Sequence, residues 1–125
     1  MLKLLVVDDS ELIRYRLVRM LSGLPAIKEI GTAENLQQAL YTASHFQPDL
    51  VILDLNLPDG HGASIIPKLR RMDPQPRILV LTNEADAYQR EHSLQAGADW
   101  FFDKSTEFEQ ALALLQQQAV PLTHN

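Results

Sequence analysis

Four short apolar runs, each followed by a polar residue, constrain the fold of this chain more than any other feature. They occupy residues 4–7, 50–53, 78–81 and 100–102, and residues 27–30 form a weaker fifth run. Runs of this length, rich in branched or aromatic side chains, are typical of strands that are buried on both faces. The chain is therefore predicted to form a sheet that is covered on both sides.

Segments with helical spacing of apolar residues separate these runs. Ser10 is suited to cap the first helix, in which Ile13, Leu17 and Leu21 lie on one face. Further helices are expected near residues 36–43, 65–69 (with Pro67 in the first turn), 86–96 (with few large apolar residues) and 108–115. Because strands that alternate with helices form right-handed βαβ units, we predict a doubly wound α/β fold with a five-stranded parallel sheet.

Length and composition limit the classes of function. The 125 residues fit one domain, which we place at residues 1–118, with residues 119–125 as a tail or the start of a linker. The net charge of −5 argues against nucleic-acid binding by this domain, and the lack of cysteine excludes thiol chemistry. No apolar run approaches the ~20 residues of a membrane span, and a signal peptide is absent, so we expect a cytoplasmic protein that does not bind membranes.

Polar residues follow four of the predicted strands. Asp8 and Asp9 follow the first strand and Asp54 the third, whereas Thr82 and Lys104 end the fourth and the fifth. The carboxyl ends of parallel strands share one edge of the sheet, where ligands bind at the topological switch point. Three carboxylates, one hydroxyl and one ammonium group are therefore predicted to converge there.

This combination of groups suits phosphoryl chemistry. Oxygen ligands without histidine or cysteine favour Mg²⁺, and a carboxylate next to that ion can attack a phosphoryl group. Thr82 and Lys104 are natural donors to phosphoryl oxygens. A single aspartate at a strand end is more often a cap or turn residue, so the joint arrangement carries the prediction. The histidines show no ligand spacing and are predicted to be surface residues: His45, His61, His92 and His124.

Four motifs, in this order, resemble the receiver domain of two-component response regulators. They are Leu-Val-Val-Asp-Asp-Ser (5–10), Val-Ile-Leu-Asp-Leu-Asn-Leu-Pro-Asp-Gly-His-Gly (51–62), Val-Leu-Thr-Asn-Glu (80–84) and Gly-Ala-Asp-Trp-Phe-Phe-Asp-Lys (97–104). The resemblance covers about residues 2–118. It implies a flavodoxin-like sheet with the strand order 2-1-3-4-5.

The resemblance also implies a role for each residue at the predicted edge. Asp54 is the expected phosphoacceptor, and Lys104 is expected to contact the phosphoryl group. Asp8 and Asp9 are expected to hold Mg²⁺ together with Asp54, and the backbone carbonyl of Asn56 would complete the metal shell.

Four residues are assigned to switching and to the lifetime of the signal. By the resemblance, Thr82 is the switch hydroxyl and Phe101 is the aromatic residue that rotates between outward and inward positions. Asn56 and Glu84 lie two residues after Asp54 and Thr82. Their position beside the approach of the hydrolytic water predicts that they tune the lifetime of the phosphoryl group.

Two residues depart from the family pattern. Ser105 stands where most members have a proline that follows a cis peptide bond, and a cis bond before serine costs about 3 kcal/mol. The loop is therefore either trans or strained. Asn83 is larger than the residue that usually follows the switch threonine, and it would narrow the phosphoryl pocket if it pointed inward.

The predicted function is a phosphorylation-controlled switch. A sensor histidine kinase or a phosphotransfer protein would donate the phosphoryl group to Asp54, and the domain would catalyse only its own phosphorylation and dephosphorylation. A downstream output domain or protein would read the change, and dimer formation linked to phosphorylation is one candidate output. The alternatives are a receiver-like docking module that is never phosphorylated, and a phosphatase of the haloacid dehalogenase type. That phosphatase needs an aspartate where this chain has Asn56.

Overall fold

The computed structural model describes residues 2–118, and the predicted tail at 119–125 lies outside the described residues. Five strands form one parallel sheet, namely β1 (Leu2–Val7), β2 (Ile27–Ala33), β3 (Leu50–Leu53), β4 (Arg77–Thr82) and β5 (Trp100–Asp103). Their order in the sheet is β2-β1-β3-β4-β5, with β1 and β3 adjacent at the centre. The predicted α/β architecture and strand order are confirmed.

Four helices connect the strands, namely α1 (Glu11–Leu21), α2 (Leu36–Phe46), α3 (Ile66–Arg70) and α4 (Ala87–Ala96), and α5 (Phe108–Gln118) follows β5. Ser10 caps α1 as predicted, because its hydroxyl accepts a hydrogen bond from the backbone N–H of Ile13. A 3₁₀ turn (Gly62–Ile65) precedes α3, and Pro67 lies in the first turn of that helix. Within residues 2–118, no helix has the length and apolar character that crossing a membrane requires.

The helices cover the sheet on both faces and produce two apolar layers. Successive side chains of a strand point to opposite faces, and β1 shows this directly. Leu5 and Val7 pack in the layer beneath α2 and α3, whereas Leu4 and Val6 pack in the layer beneath α1 and α5. Burial on both faces explains why β1, β3 and β4 read as continuous apolar runs. The carboxyl ends of these strands form the edge that carries the candidate site.

Candidate functional site

Three carboxylates meet at the carboxyl edge of the sheet. Asp8 and Asp9 follow β1, and Asp54 follows the neighbouring strand β3. One carboxylate oxygen from each residue lies within 4.8 Å of the other two. Asp8 and Asp54 are buried, whereas Asp9 is exposed to solvent. The structure thus brings together the three acidic residues that the sequence pattern singled out.

Lys104 reaches the same point from the end of β5. Its Nζ atom lies 2.7 Å from Oδ2 of Asp8 and 3.2 Å from Oδ2 of Asp54. Its side chain is only 10% exposed, so this ammonium group bridges two buried carboxylates away from bulk water. The backbone N–H of Lys104 donates to the carbonyl oxygen of Thr82 at 2.8 Å, which ties the lysine to β4.

The loop after Lys104 is well formed without the proline of the family pattern. The Lys104–Ser105 peptide is trans, since the cis bond found within residues 2–118 is Asp73–Pro74. The backbone N–H and the hydroxyl of Ser105 both donate to Oδ1 of Asp103, at 2.9 Å and 2.7 Å. These two bonds lower the pKa of the Asp103 carboxyl. Of the two possibilities for this loop, the structure therefore has the trans form.

Burial and pairing act in opposite directions on the ionisation of the site. Burial raises the pKa of Asp8, and the hydrogen bond from Lys104 offsets this effect only in part. Burial would lower the pKa of Lys104, but the hydrogen bond to Asp8 and the charges of Asp54 and Asp8 outweigh it and raise that pKa. Lys104 therefore stays a cation, and the ionised site carries one positive charge against three negative ones.

The donor set fits a hard divalent cation. In the part of the chain that the structure describes, the cluster contains only carboxylates and no histidine. Oxygen-only sites with two or three carboxylates suit Mg²⁺. Asp8, Asp9 and Asp54 could therefore hold that ion, and the unbalanced negative charge would favour its binding.

The segment after Asp54 packs directly against the backbone of that residue. A short β-hairpin with two residues in each strand pairs Asn56–Leu57 with Gly60–His61. The N–H of Gly62 donates to the carbonyl oxygen of Leu55 at 2.7 Å. A Cβ atom at Gly62 would lie 2.2 Å from the carbonyl oxygen of Asp54. Glycine is therefore required here by close backbone approach. The backbone N–H of Asn56, whose side chain is exposed, donates to Oδ1 of Asp54 at 3.3 Å.

Thr82 and Phe101 occupy the buried side of the site. The Thr82 side chain is fully buried, and its Oγ1 accepts a hydrogen bond from the N–H of Glu84 at 3.1 Å. The Phe101 ring is also buried, and the Arg90 guanidinium lies 5.0 Å from its centroid. Asn83 is exposed to solvent. Rotation of Phe101 stays a prediction.

One contact at the mouth of the site was missed by the sequence reasoning. Nε2 of His61 lies 3.6 Å from Oε1 of Glu84, and the two side chains are 40% and 41% exposed. His61 is a surface residue, as predicted, but it is not isolated. The sequence does offer one indication of this contact, because His61 and Glu84 lie near the ends of two motifs that share the carboxyl edge of the sheet.

Comparisons with known proteins agree with this geometry. Residues 4–116 match the family model of the response regulator receiver domain. The nitrate/nitrite response regulator protein NarL of Escherichia coli K12 is 33% identical over 116 residues, which cover 93% of this chain and 54% of NarL. The chain thus spans about half the length of such relatives.

Solved structures give the same result. A response regulator protein from Burkholderia pseudomallei, whose structure holds a phosphorylated aspartic acid and a calcium ion, superposes with a TM-score of 0.82 at 32% identity. The match covers 95% of this chain and 69% of that chain. The signal receiver domain of NarL from Mycobacterium tuberculosis superposes with a TM-score of 0.83 at 25% identity, over 94% and 95% of the two chains. The chain therefore belongs to the response regulator receiver domain family, whose members are signalling domains.

Proposed function

We propose that this domain is a switch that is controlled by phosphorylation of Asp54. A phosphohistidine of a sensor histidine kinase or a phosphotransfer protein is the proposed donor. The observation that carries the proposal is the bridge from Lys104 Nζ to the carboxylates of Asp8 and Asp54, at 2.7 Å and 3.2 Å. A buried lysine between two buried carboxylates places a positive charge where phosphoryl oxygens would arrive.

In the proposed transfer, a carboxylate oxygen of Asp54 forms a bond to phosphorus. The bond from phosphorus to the imidazole nitrogen of the donor breaks, and the imidazole leaves with that electron pair. Lys104 and the hydroxyl of Thr82 would donate to the phosphoryl oxygens and stabilise their charge. The domain would thus catalyse only its own phosphorylation and dephosphorylation.

The proposed ligands of Mg²⁺ are Asp8, Asp9, Asp54 and the backbone carbonyl of Asn56. When bound, this ion would neutralise negative charge on the carboxylates and on the incoming phosphoryl group. The related Burkholderia pseudomallei structure, with its phosphorylated aspartic acid and calcium ion, supports a site of this kind.

The proposed switch starts at Thr82. Its Oγ1 now accepts a hydrogen bond from the N–H of Glu84 at 3.1 Å. A phosphoryl group adds about 1.5 to 2 negative charges, and this charge would draw the hydroxyl toward Asp54 as a donor. Movement at Thr82 and Phe101 would then alter the surface of α4, β5 and α5, which a downstream output domain or protein reads, with dimer formation as one form of output. A cytoplasmic location is part of the proposal.

The test is uptake of a phosphoryl group from a small donor. With acetyl phosphate and Mg²⁺, we expect the protein to gain one phosphoryl mass and Asp54→Asn to gain none. Asp49→Asn is the matched control, because Asp49 precedes β3 at the opposite end from Asp54 and binds the N–H of Lys3 at 2.8 Å. Uptake should be unchanged in that variant.

The same measurement separates the alternatives. Equal uptake by Asp54→Asn would contradict the assignment of the acceptor. No uptake by the parent protein would favour a docking module that works without phosphorylation. The two departures from the family pattern do not argue for that module, since Asn83 is exposed and Lys104 reaches Asp8 and Asp54 from a trans loop.

A further inference from the structure

We infer that His61 is a positioning residue that shortens the lifetime of the phosphoryl group on Asp54 by orienting the carboxylate of Glu84. The inference rests on the proposed function. It adds to Asn56 and Glu84 a third residue, which lies between them in the structure and which sequence spacing did not single out.

The first observation concerns the proton on the His61 ring. Nδ1 of His61 lies 3.2 Å from the backbone N–H of Ala63, which donates to it. In a neutral imidazole, a nitrogen that accepts a hydrogen bond leaves the proton on the other nitrogen. That nitrogen, Nε2, lies 3.6 Å from Oε1 of Glu84. His61 therefore presents an N–H group toward one oxygen of the Glu84 carboxylate.

The second observation concerns the place of this contact. His61 is the direct partner of Asn56 in the hairpin, and opposite residues of an antiparallel pair project to the same side. The N–H of Asn56 donates to Oδ1 of Asp54 at 3.3 Å, and the N–H of Glu84 donates to Oγ1 of Thr82 at 3.1 Å. His61 and Glu84 thus connect the loop that follows the acceptor to the loop that follows the switch hydroxyl.

The third observation concerns solvent and rigidity. The side chains of His61 and Glu84 are about 40% exposed, whereas Asp54 is only 5% exposed. Both side chains are therefore accessible to the water that hydrolysis requires. Gly62, directly after His61, packs against the carbonyl oxygen of Asp54. The position of His61 relative to the acceptor is fixed by that contact.

The step affected is hydrolysis of the acyl phosphate. The water oxygen forms a bond to phosphorus, and the bond from phosphorus to the Asp54 oxygen breaks and restores the carboxylate. One proton of the water remains on the inorganic phosphate, and the other passes to solvent. With one oxygen of the Glu84 carboxylate facing the His61 ring at 3.6 Å, the other oxygen can accept a hydrogen bond from this water. Alignment of the water is the quantity that His61 would control.

The experiment measures first-order loss of the phosphoryl group after acetyl phosphate is removed. We expect His61→Ala to lose it about two- to fivefold more slowly than the parent, the range that one exposed polar contact supports. The doubly substituted His61→Ala, Glu84→Ala protein should decay no more slowly than Glu84→Ala alone, because both changes remove the same interaction. His61→Gln, which retains an N–H donor, should restore part of the parental rate.

His92→Ala is the matched control. This exposed histidine on α4 stacks on Tyr88, with ring centroids 5.7 Å apart, and it should keep the parental decay rate. Phosphoryl uptake by His61→Ala should equal that of the parent, and a loss of uptake would mean that His61 is merely structural and would overturn the inference. Parental decay in His61→Ala would overturn it while the proposed function stands. A parent protein that takes up no phosphoryl group would overturn both.

Discussion

Helices α1 and α4 both start at the carboxyl edge of the sheet, yet they are attached to the molecule in different ways. The buried residues of α1 are Leu17 and Leu21, which pack into one of the two apolar layers. The buried residue of α4 is Ser93, and its hydroxyl has no hydrogen-bond partner within residues 2–118. A helix that buries leucine is anchored by the hydrophobic effect, whereas a helix that buries an unpaired hydroxyl is not.

In α4, the partly buried Ala96 packs against an apolar layer, and polar contacts add to this small apolar contact. Asp86 caps its first turn by accepting a hydrogen bond from the N–H of Gln89 at 2.8 Å. Arg90 places its guanidinium 5.0 Å from the Phe101 ring centroid and 3.4 Å from Oε1 of Glu107. Contacts of this kind are individually weak and partly exposed. The helix next to Thr82 and Phe101 is therefore expected to open or shift at a lower free-energy cost than α1.

The largest expected effect tests this contrast in stability. Leu17→Ala should lower the free energy of unfolding by about 2–5 kcal/mol, because it leaves a cavity beneath α1. Ser93→Ala should change it by less than about 1 kcal/mol, and toward higher stability, because it removes an unpaired buried hydroxyl. Urea denaturation of the two variants measures both values. A loss of several kcal/mol in Ser93→Ala would show that α4 is anchored as firmly as α1.

The second test concerns how the free energy of unfolding depends on pH through Asp8. This residue joins α1 to the site, because the N–H of Ser10 donates to Oδ1 of Asp8 at 2.8 Å. Burial raises the pKa of Asp8 above its ordinary value of 3.8, so the folded chain binds more protons than the unfolded chain. The contribution of this group to stability is therefore present below pH 3.8 and is lost as the pH rises toward the folded-state pKa.

Asp8→Asn removes this titration. In buffer without divalent cations, the unfolding free energy of the parent minus that of the variant should fall as the pH is raised from about 3 to about 7. Urea titrations across this range measure the difference. A difference that increases with pH would mean that the pairing with Lys104 outweighs the cost of burying Asp8.

The smallest expected effect comes from substituting two arginines that each lie over a phenylalanine ring. Arg90 on α4 lies over Phe101, and Arg16 on α1 lies over Phe108 with its guanidinium 4.7 Å from the ring centroid. Substitution of either by glutamine should cost only about 0.5–1 kcal/mol. Amide hydrogen exchange in α4 should become a few-fold faster in Arg90→Gln, whereas exchange in α1 should accelerate less in Arg16→Gln, because Leu17 and Leu21 still limit local opening of that helix. Equal acceleration in both helices would remove the contrast.

The inner strands were predicted from their burial, and the edge strand β5 was predicted from its run of aromatic residues. β1, β3 and β4 lie inside the sheet with both faces covered, so each produced a clear apolar run. β2 lies at the edge and pairs only with β1, and Ala33 is its one buried residue. A half-exposed strand carries polar residues, which is why only residues 27–30 of the observed Ile27–Ala33 were recognised.

The same reasoning explains which parts of the site were predictable. Asp8, Asp54 and Lys104 follow strands, and strand ends in a parallel sheet have a fixed spatial relation. The contact between His61 and Glu84 joins two loops, and the contact between Arg90 and Glu107 joins a helix to a loop. No local periodicity encodes such pairs, because the relative position of loops depends on packing across the whole domain.

The close approach of Gly62 to the carbonyl oxygen of Asp54 determines on which side of Asp54 the structure can move. The segment that follows Asp54 has no room to yield, because even a methyl group at residue 62 would lie 2.2 Å from that oxygen. On the opposite side, Thr82 leads into α4, whose apolar contact with the core is small. A change of structure at Asp54 therefore cannot be taken up by the backbone at Gly62. We expect α4 to be the element that shifts instead.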